Sequence, residues 1–243
     1  MGGRKDLKIL LLQIRDNHNV RIEEHKSFAN FSKLGLHQIE ILNVFDTPSF
    51  KTNLLDSFDA LYVGGASEAS VLEPEKYPFI NNCIELLRYA AEISKPTFAS
   101  CFGFQLAVLA FGGVILNKDK DYEMGTVKIS LANKAKSDLV YQGIEDRFPA
   151  VSVHRQYASK IPEPLETLAY TEQCVHSFKY KNKPLWAFQF HPEVDRDTLV
   201  KRLTIFSRHY TANAEHLKEV LGSAVETPES NILLGNFVER VLL

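Results

Sequence analysis

The chain has 243 residues, of which 45% are hydrophobic and 24% are charged, and this composition excludes collagen-like, coiled-coil and disordered proteins. Its 28 Lys and Arg residues against 30 Asp and Glu residues give a net charge of −2. Nucleic acid is therefore not expected as a partner, because no basic field is available for a phosphate backbone. Three widely spaced cysteines cannot build a disulfide framework and favour a reducing compartment.

The first apolar run ends at Ile14, directly before Arg15 and Asp16. It is too short for the hydrophobic core of a signal peptide and is typical of a buried strand. The other apolar runs have only a few residues, whereas a membrane-spanning helix needs about 20. Gly2 is not expected to be myristoylated, because Asp6 occupies the position of the Ser or Thr in that motif. We therefore expect a cytoplasmic protein without a membrane partner.

Strands and helices alternate over the first hundred residues. The hydrophobic pattern predicts strands at 7–14, 38–45, 60–63 and 96–100, and helices at about 20–34 and 78–94. Several of these strands are apolar on both faces, which is typical of a parallel sheet covered on both sides. The expected fold class is therefore α/β, with an open, mostly parallel twisted sheet and helices on both faces in a flavodoxin-like three-layer arrangement.

The pattern changes from about Thr126 onward. Short strands are predicted in close succession at 127–131, 151–154, 167–170, 175–180 and 185–190, which indicates a small antiparallel or mixed extension. Two helices are predicted in the tail, one at about 196–221 and one with Thr227 as N-cap and Pro228 at the first helical position. Without repeats or linkers, we expect one domain spanning 1–243, with the C-terminal helices from about 196 to 243 packed on it.

Cys101 lies where a buried strand ends and an apolar helix begins, in the segment Ala-Ser-Cys-Phe-Gly-Phe-Gln. Such a turn exposes the side chain as in the nucleophile elbow of hydrolases, and Gly103 lets the helix approach the strand. The positive end of the helix would stabilise a thiolate there, and the N–H of Phe102 would point at the same place. Cys83 and Cys174 lack this context and are expected to be ordinary buried cysteines.

A second element, Phe-Gln-Phe-His-Pro-Glu, ends the last predicted strand. One ring nitrogen of His191 can be held there by Glu193 while the other faces a nucleophile, which is the arrangement of a base and its orienting group. The sequence has no Pro-Cys-x-x-Cys motif of the zinc deaminases, no His-Glu-x-x-His motif and no glycine-rich phosphate loop. Cys174 and His176 are two residues apart, but no further metal ligands occur at a matching spacing. We therefore expect neither a metal nor a nucleotide cofactor.

Together the two motifs resemble those of the class I glutamine amidotransferases, over about residues 7–195. Supporting segments follow in the order of that family: Gly64-Gly65 after the third strand, Glu123-Met-Gly after the nucleophile helix, and His154 before the last strands. Within the family, the chain is most similar to free-standing domains that resemble the amidotransferase half of GMP synthase. The resemblance implies the same α/β fold and no cofactor.

The resemblance also implies roles for individual residues. Cys101 would attack the γ-carbonyl of glutamine to form a γ-glutamyl thioester, His191 would move protons, and Glu193 would orient His191. The N–H groups of Gly65 and Phe102 would bind the oxyanion. The remaining substrate-binding positions would be Gly64, Gln105, His154 and Arg155.

Arg155 is the main departure from the family, because GMP-synthase relatives have His-Gly-Asp where this chain has His-Arg-Gln. The charge of Arg155 near the expected pocket leaves two substrates open: L-glutamine, with any ammonia acceptor on another chain such as a synthetase, or a γ-glutamyl peptide or conjugate with water as acceptor. A third hypothesis, from another class of function, is a catalytically silent regulatory or binding module.

Overall fold

Nine strands form one mixed sheet in the computed structural model, which describes residues 3–206 and 214–243. Their order across the sheet is β2-β1-β3-β4-β11-β10-β9-β6-β7. The strands are β1 Ile9–Gln13, β2 Ile39–Asn43, β3 Ala60–Val63, β4 Thr97–Ser100, β6 Glu123–Leu131, β7 Arg147–His154, β9 Leu165–Tyr170, β10 Val175–Tyr180 and β11 Leu185–Phe188. Two short strands, β5 Leu116–Asn117 and β8 Gln156–Tyr157, pair separately as a small sheet that the sequence did not predict.

Parallel pairing joins the first five strands of this order, and antiparallel pairing joins the rest. The predicted fold class is thus confirmed: a parallel sheet with an antiparallel extension. The extension is continuous with the main sheet, because β10 pairs directly with β11.

Six α-helices are found in the described residues: α1 His18–Ser32, α2 Phe79–Glu92, α3 Phe102–Ala110, α4 Arg196–Ile205, α5 Ala214–Ser223 and α6 Pro228–Phe237. The last helix continues as a π-helical turn at Val238–Leu242. Short 3-10 turns lie at Arg4–Asp6, Leu36–Gln38, Thr52–Ser57 and Asn133–Ser137.

Side-chain alternation along the buried strands produces the three layers. Leu10 and Leu12 of β1 belong to the core that contains α2 and α3, whereas Ile9 and Leu11 belong to the core that contains α1 and α6. Successive side chains of a strand point to opposite faces, so a wholly apolar strand needs helices on both sides. A third, smaller core packs α4 and α5 against β7.

The tail bears on two predictions. Helices α4 and α5 both lie in the region where a helix was expected at about 196–221, and residues 207–213 between them lie outside the described residues. Thr227 does precede α6, with Pro228 at the first helical position, but its hydroxyl makes no capping bond to the backbone. It donates instead to Oδ1 of Asn231, 3.0 Å away.

The carboxyl ends of the parallel strands meet at one edge of the sheet. Arg15 follows β1, Gly64-Gly65 follows β3, and Cys101 follows β4. His191 comes three residues after β11. Ligands of open α/β sheets bind at this edge, where the strand order reverses, so the fold brings the predicted site residues to the usual position.

Candidate functional site

Cys101 occupies a strained turn between β4 and α3. Its backbone has φ 51° and ψ −100°, outside the regions that L-residues ordinarily adopt. The turn is held by two hydrogen bonds, from the Cys101 N–H to the Phe188 carbonyl at 2.7 Å and from the Gln105 N–H to the Cys101 carbonyl at 3.1 Å. Only 5% of Cys101 is exposed. This is the nucleophile-elbow geometry that the sequence predicted.

Gly103 brings α3 against the end of β3, as predicted. A Cβ at this position would lie 2.8 Å from the carbonyl oxygen of Val63, so a larger residue would push the helix away from the strand. The Gly103 N–H donates to the carbonyl of Gly64 at 3.2 Å. The nucleophile turn and the Gly64-Gly65 loop are therefore fixed to each other through the backbone.

His191 and Glu193 form a buried pair next to Cys101. Nδ1 of His191 lies 2.6 Å from Oε1 of Glu193. The exposed fractions of His191 and Glu193 are 6% and 0%, and Cys101 is close enough to the imidazole to raise its pKa. One ring nitrogen is thus held by the carboxylate while the ring lies beside the thiol, as expected of a Cys-His-Glu triad.

The charges of this triad depend on one another. Burial disfavours an imidazolium, but the Cys101 thiolate and the Glu193 carboxylate outweigh burial and raise the pKa of His191 to about 9. Burial would likewise raise the pKa of Glu193, but the His191 charge and hydrogen bond, with a smaller contribution from Arg202, lower it overall. The imidazolium form of His191 is therefore favoured by its acidic neighbours, and the carboxylate of Glu193 is favoured by His191.

Two backbone N–H groups lie beside the thiol. Phe102 is the first residue of α3, where helical N–H groups have no acceptor within the helix. In the described part of the chain, neither the Phe102 N–H nor the Gly65 N–H donates to a backbone carbonyl. A Cβ on Gly65 would lie 3.5 Å from Cβ of Cys101 and 2.8 Å from Cε1 of His191, so Gly65 contacts both side chains. Both donors are available for an oxyanion.

Sequence reasoning missed an ion pair beneath this loop. Arg15 is 1% exposed, and its Nε donates to Oε1 of Glu24 at 2.9 Å while Nη1 donates to Oγ of Ser67 at 2.9 Å. A Cβ on Gly65 would lie 2.9 Å from Nη2 of Arg15, and a Cβ on Gly64 would lie 2.9 Å from both carboxylate oxygens of Glu24. The ion pair thus fills the space that side chains at the two glycines would need.

Burial raises the pKa of the Glu24 carboxyl, while the Arg15 and Arg202 guanidiniums oppose that rise. The nearby Glu193 carboxylate adds to the rise. The Arg15–Glu24 pair is therefore coupled electrostatically to the triad as well as packed against the glycine loop.

A cavity of about 200 Å³ lies beside Cys101 and is large enough for a ligand the size of an amino acid. Gln105 and His154 line it but are largely engaged elsewhere: the Gln105 amide donates to the Gln156 carbonyl at 3.0 Å, and Nε2 of His154 lies 3.0 Å from Oε2 of Glu123. Gly64 uses its N–H in a bond to Leu12 at 3.0 Å.

Arg155 also lines this cavity and is exposed to solvent. Its guanidinium lies over the ring of Tyr122, 4.8 Å from the centroid, and Nη2 donates to the Tyr122 hydroxyl at 3.4 Å. The site therefore presents a positive group at its rim, beyond the thiol.

The other two cysteines are free and buried. Cys83 belongs to the apolar core under α2, as expected. Cys174 lies with Glu123, His154 and His176 in a group whose side chains are of the kinds that bind metals. No motif in the sequence pairs these four residues.

The family model for class-I glutamine amidotransferases matches residues 25–205. The chain belongs to this family. Membership is consistent with glutamine hydrolysis, and the predicted resemblance is confirmed. None of the helices within 3–206 and 214–243 has the length and apolar character needed to cross a bilayer.

Curated relatives include proteins named as a subunit of GMP synthase and proteins named simply as GMP synthase. The chain is 32% identical over 115 residues to a protein of Methanocaldococcus jannaschii named as a subunit of the glutamine-hydrolysing GMP synthase, covering 46% of this chain and 57% of that one. It is 33% identical over 99 residues to the glutamine-hydrolysing GMP synthase of Borrelia garinii subsp. bavariensis, covering 41% of this chain and 18% of the enzyme. The chain therefore spans less than two thirds of the length of these relatives.

Solved structures share the fold over nearly the whole chain. A glutamine amidotransferase of Thermotoga maritima superposes with a TM-score of 0.77 at 17% identity, covering 97% of this chain and 98% of that one. A glutamine amido transferase of Methylobacillus flagellatus superposes with a TM-score of 0.68 at 15% identity, covering 96% and 94%. At such low identity the likeness concerns the fold.

Proposed function

We propose that this amidotransferase-family chain hydrolyses a γ-glutamyl amide, with L-glutamine as its main substrate, through a γ-glutamyl thioester on Cys101. The observation that carries the proposal is the Cys101 elbow with the His191–Glu193 pair beside it, since His191 and Cys101 both border the Cβ position of Gly65. No metal or nucleotide cofactor is proposed for this reaction, since a thiolate and an imidazolium are sufficient for acyl transfer.

In the proposed first half-reaction, the Cys101 thiolate attacks the γ-carbonyl carbon of the substrate. The electron pair of the carbonyl bond moves to the oxygen, which the N–H groups of Gly65 and Phe102 stabilise. His191 then gives its proton to the leaving nitrogen as the carbon–nitrogen bond breaks. Ammonia departs, and neutral His191 and the thioester remain.

In the second half-reaction, neutral His191 takes a proton from water. The resulting hydroxide attacks the thioester carbon, and the carbon–sulfur bond breaks with return of the electron pair to Cys101. The new carboxyl group releases its proton to solvent, so that glutamate and the thiolate–imidazolium pair result. Glu193 holds the imidazole in one orientation throughout and stabilises its positive charge.

Release of ammonia and glutamate from L-glutamine by the isolated chain tests the proposal. The matched variants are Cys101→Ala and Cys83→Ala, which each remove one buried thiol, the first at the elbow and the second in the core. We expect turnover in the wild type and in Cys83→Ala and none in Cys101→Ala. Turnover in Cys101→Ala above background would refute the proposed nucleophile.

A second candidate is a γ-glutamyl peptidase, which uses the same thioester with an amino acid as leaving group. Arg155 favours it, because a guanidinium at the rim of the cavity can pair with the carboxylate of the leaving residue. Assays with γ-glutamyl dipeptides in parallel distinguish the two, since glutamine turnover at least about tenfold better than that of each dipeptide excludes the peptidase.

Replacing Arg155 distinguishes the glutaminase from the peptidase more directly. If the peptidase is correct, Arg155→Ala raises KM for dipeptides but not for glutamine, and Lys118→Ala, which removes a neighbouring cation, raises neither. If the protein hydrolyses neither type of substrate and keeps a cellular effect after alkylation of Cys101, the regulatory module is favoured instead.

For a glutamine-hydrolysing chain, we propose that ammonia is used by a synthetase partner on another chain, in the cytoplasm. Support comes from relatives whose names describe them as one subunit of a glutamine-hydrolysing GMP synthase. Neither a nucleic acid nor a membrane is proposed as a partner.

A further inference from the structure

Four side chains of kinds that bind metals lie close together beside the main cavity. Glu123 and His154 face each other across the antiparallel pair β6–β7. Cys174 directly precedes β10, and His176 is the second residue of that strand. One donor atom from each of the four lies within 4.8 Å of the other three. All four residues are buried.

The group has a buried polar atom that no protein group satisfies. Oε2 of Glu123 is 3.0 Å from Nε2 of His154 and 2.7 Å from Nε2 of His176. Oε1 of Glu123 accepts from the Thr171 hydroxyl at 2.8 Å. Nδ1 of the fully buried His176 has no hydrogen-bond partner in the described residues. Nε2 is the nitrogen that faces Glu123, and no acceptor at Nδ1 fixes which ring nitrogen carries the proton, so Nε2 can be the deprotonated nitrogen that binds a cation.

The chemistry of the donors selects the ion. One thiolate, one carboxylate and two neutral imidazoles carry two negative charges, which a divalent cation neutralises, so no net charge is buried. Sulfur with imidazole nitrogen is the donor set of zinc rather than of magnesium or calcium. Donor atoms of tetrahedral zinc lie roughly 3.3 to 3.8 Å apart by its bond lengths. The Glu123 oxygen, now 2.7 and 3.0 Å from the two imidazole nitrogens, would therefore move away from them, while the donors up to 4.8 Å apart would move inward by about 1 Å.

An ion can reach this position. A small cavity of about 60 Å³ is lined by Glu123, His154 and Cys174. It shares Tyr122, His154 and Arg155 with the main cavity beside Cys101, so the two spaces adjoin. The volume exceeds that needed for a single water molecule, about 10–15 Å³.

We propose that Glu123, His154, Cys174 and His176 form a structural zinc site that braces the end of β7 next to the substrate cavity. All four positions for ligands are occupied by protein, which is typical of a structural rather than a catalytic zinc. The thiol proton of Cys174 leaves to solvent when the sulfur binds the ion. His154 and the adjacent Arg155 would then be held rigidly at the cavity wall.

Metal content tests the proposal independently of any enzymatic activity. The full chain, prepared without a metal-affinity tag and stripped with a chelator, is titrated with Zn²⁺, and bound zinc is measured by elemental mass spectrometry. We expect about one tightly bound zinc per chain, a rise in Tm on binding, and a thiolate-to-metal charge-transfer band when Co²⁺ replaces Zn²⁺.

Two variants and two controls locate the ion. Cys174→Ser and His176→Gln keep the side-chain volumes nearly unchanged and should weaken zinc binding by at least about tenfold. Cys83→Ser and Cys101→Ala remove the other two thiols and should bind zinc like the wild type. Three results would overturn the proposal. They are a folded wild type without stoichiometric zinc, zinc binding that is not weakened in either ligand variant, and loss of zinc in Cys101→Ala.

Discussion

Asn231, in the last α-helix, donates a hydrogen bond from Nδ2 to the carbonyl oxygen of Pro192 at 2.9 Å. The same Nδ2 lies 2.9 Å from the carbonyl oxygen of Val194. One buried carboxamide therefore holds both sides of the turn that carries His191 and Glu193. Helix α6 thus does more than cover the sheet, because it fixes the orientation of the proposed base.

Replacing Asn231 by Leu should lower kcat by between about 10- and 100-fold with little change in KM, because small displacements of catalytic groups have effects of this size. Loss of these two hydrogen bonds and of the one from the Thr227 hydroxyl should also cost about 1 kcal/mol each. Steady-state kinetics and thermal melting measure both effects. Asn236→Leu, in the same helix, loses a bond to the Val140 carbonyl and serves as the control. Equal kcat values for the two variants would contradict the positioning role.

The pH dependence of kcat/KM should report the raised pKa of His191, about 9 against its ordinary value of about 6.5. The imidazolium must protonate the leaving nitrogen, so kcat/KM should fall as the pH rises through about 9. The stabilisation that the charged form gives to the fold is likewise complete below about pH 6.5 and lost through about pH 9.

Glu193→Gln should move this alkaline limb to lower pH, because it removes one of the charges that raise the His191 pKa. Glu145→Gln removes an exposed carboxylate and should leave the limb in place. An alkaline limb near pH 6.5 in the wild type, or one that does not move in Glu193→Gln, would be incompatible with the proposed ion pair.

Gly65→Ala should reduce kcat by about 100-fold or more while the protein still folds. The added methyl group would meet Cε1 of His191 at 2.8 Å and Nη2 of Arg15 at 2.9 Å, which displaces both the base and an oxyanion donor. Gly222→Ala has open space around its Cβ and should gain up to about 1 kcal/mol of stability with unchanged kcat. Wild-type kcat in Gly65→Ala would argue against an oxyanion donor at this position.

Arg15→Met should destabilise the fold by about 3 kcal/mol or more, since Glu24 would remain buried without its partner. Adding Glu24→Leu should recover at least about 1 kcal/mol of the loss, because the buried charge is then gone. Urea unfolding measures both variants. Lys136→Met, which breaks an exposed ion pair with Asp146, should cost less than about 1 kcal/mol. A double variant less stable than Arg15→Met would contradict this explanation.

Cys101→Gly should unfold at higher urea concentration than Cys101→Ala, by about 1 kcal/mol or more. Glycine tolerates the φ of 51° and ψ of −100°, whereas the Cβ of alanine retains the strain. Both variants lack the thiol and should be inactive. Equal stability of the two variants would mean that the elbow stores no strain.

Local patterns predicted most of the fold. The strands at 60–63 and 175–180 have the observed bounds, because runs of buried β-branched and aromatic residues start and stop sharply there. The elbow at Cys101 and the pairing of His191 with Glu193 were also predictable, since each depends on residues close together in the sequence.

Contacts between distant segments were not predictable in the same way. Glu24 pairs with Arg15 only because α1 returns along β1, and Asn231 reaches Pro192 only because α6 packs beneath the sheet edge. The cluster around Glu123 depends on antiparallel register, which a single sequence does not specify. Arg15 did give a signal, since a charged residue stands two positions after the fully buried strand β1.

The central claim is that a γ-glutamyl thioester forms on Cys101, and trapping it is the most direct test. The chain is mixed with L-glutamine or a γ-glutamyl dipeptide, quenched rapidly in acid, digested and analysed by mass spectrometry. The mechanism predicts a γ-glutamyl adduct on the peptide that contains Cys101, and no adduct in Cys101→Ala. Two results would contradict the claim that the thioester forms on Cys101. The wild type could release ammonia with the adduct on another residue, or Cys101→Ala could give the same yield of adduct.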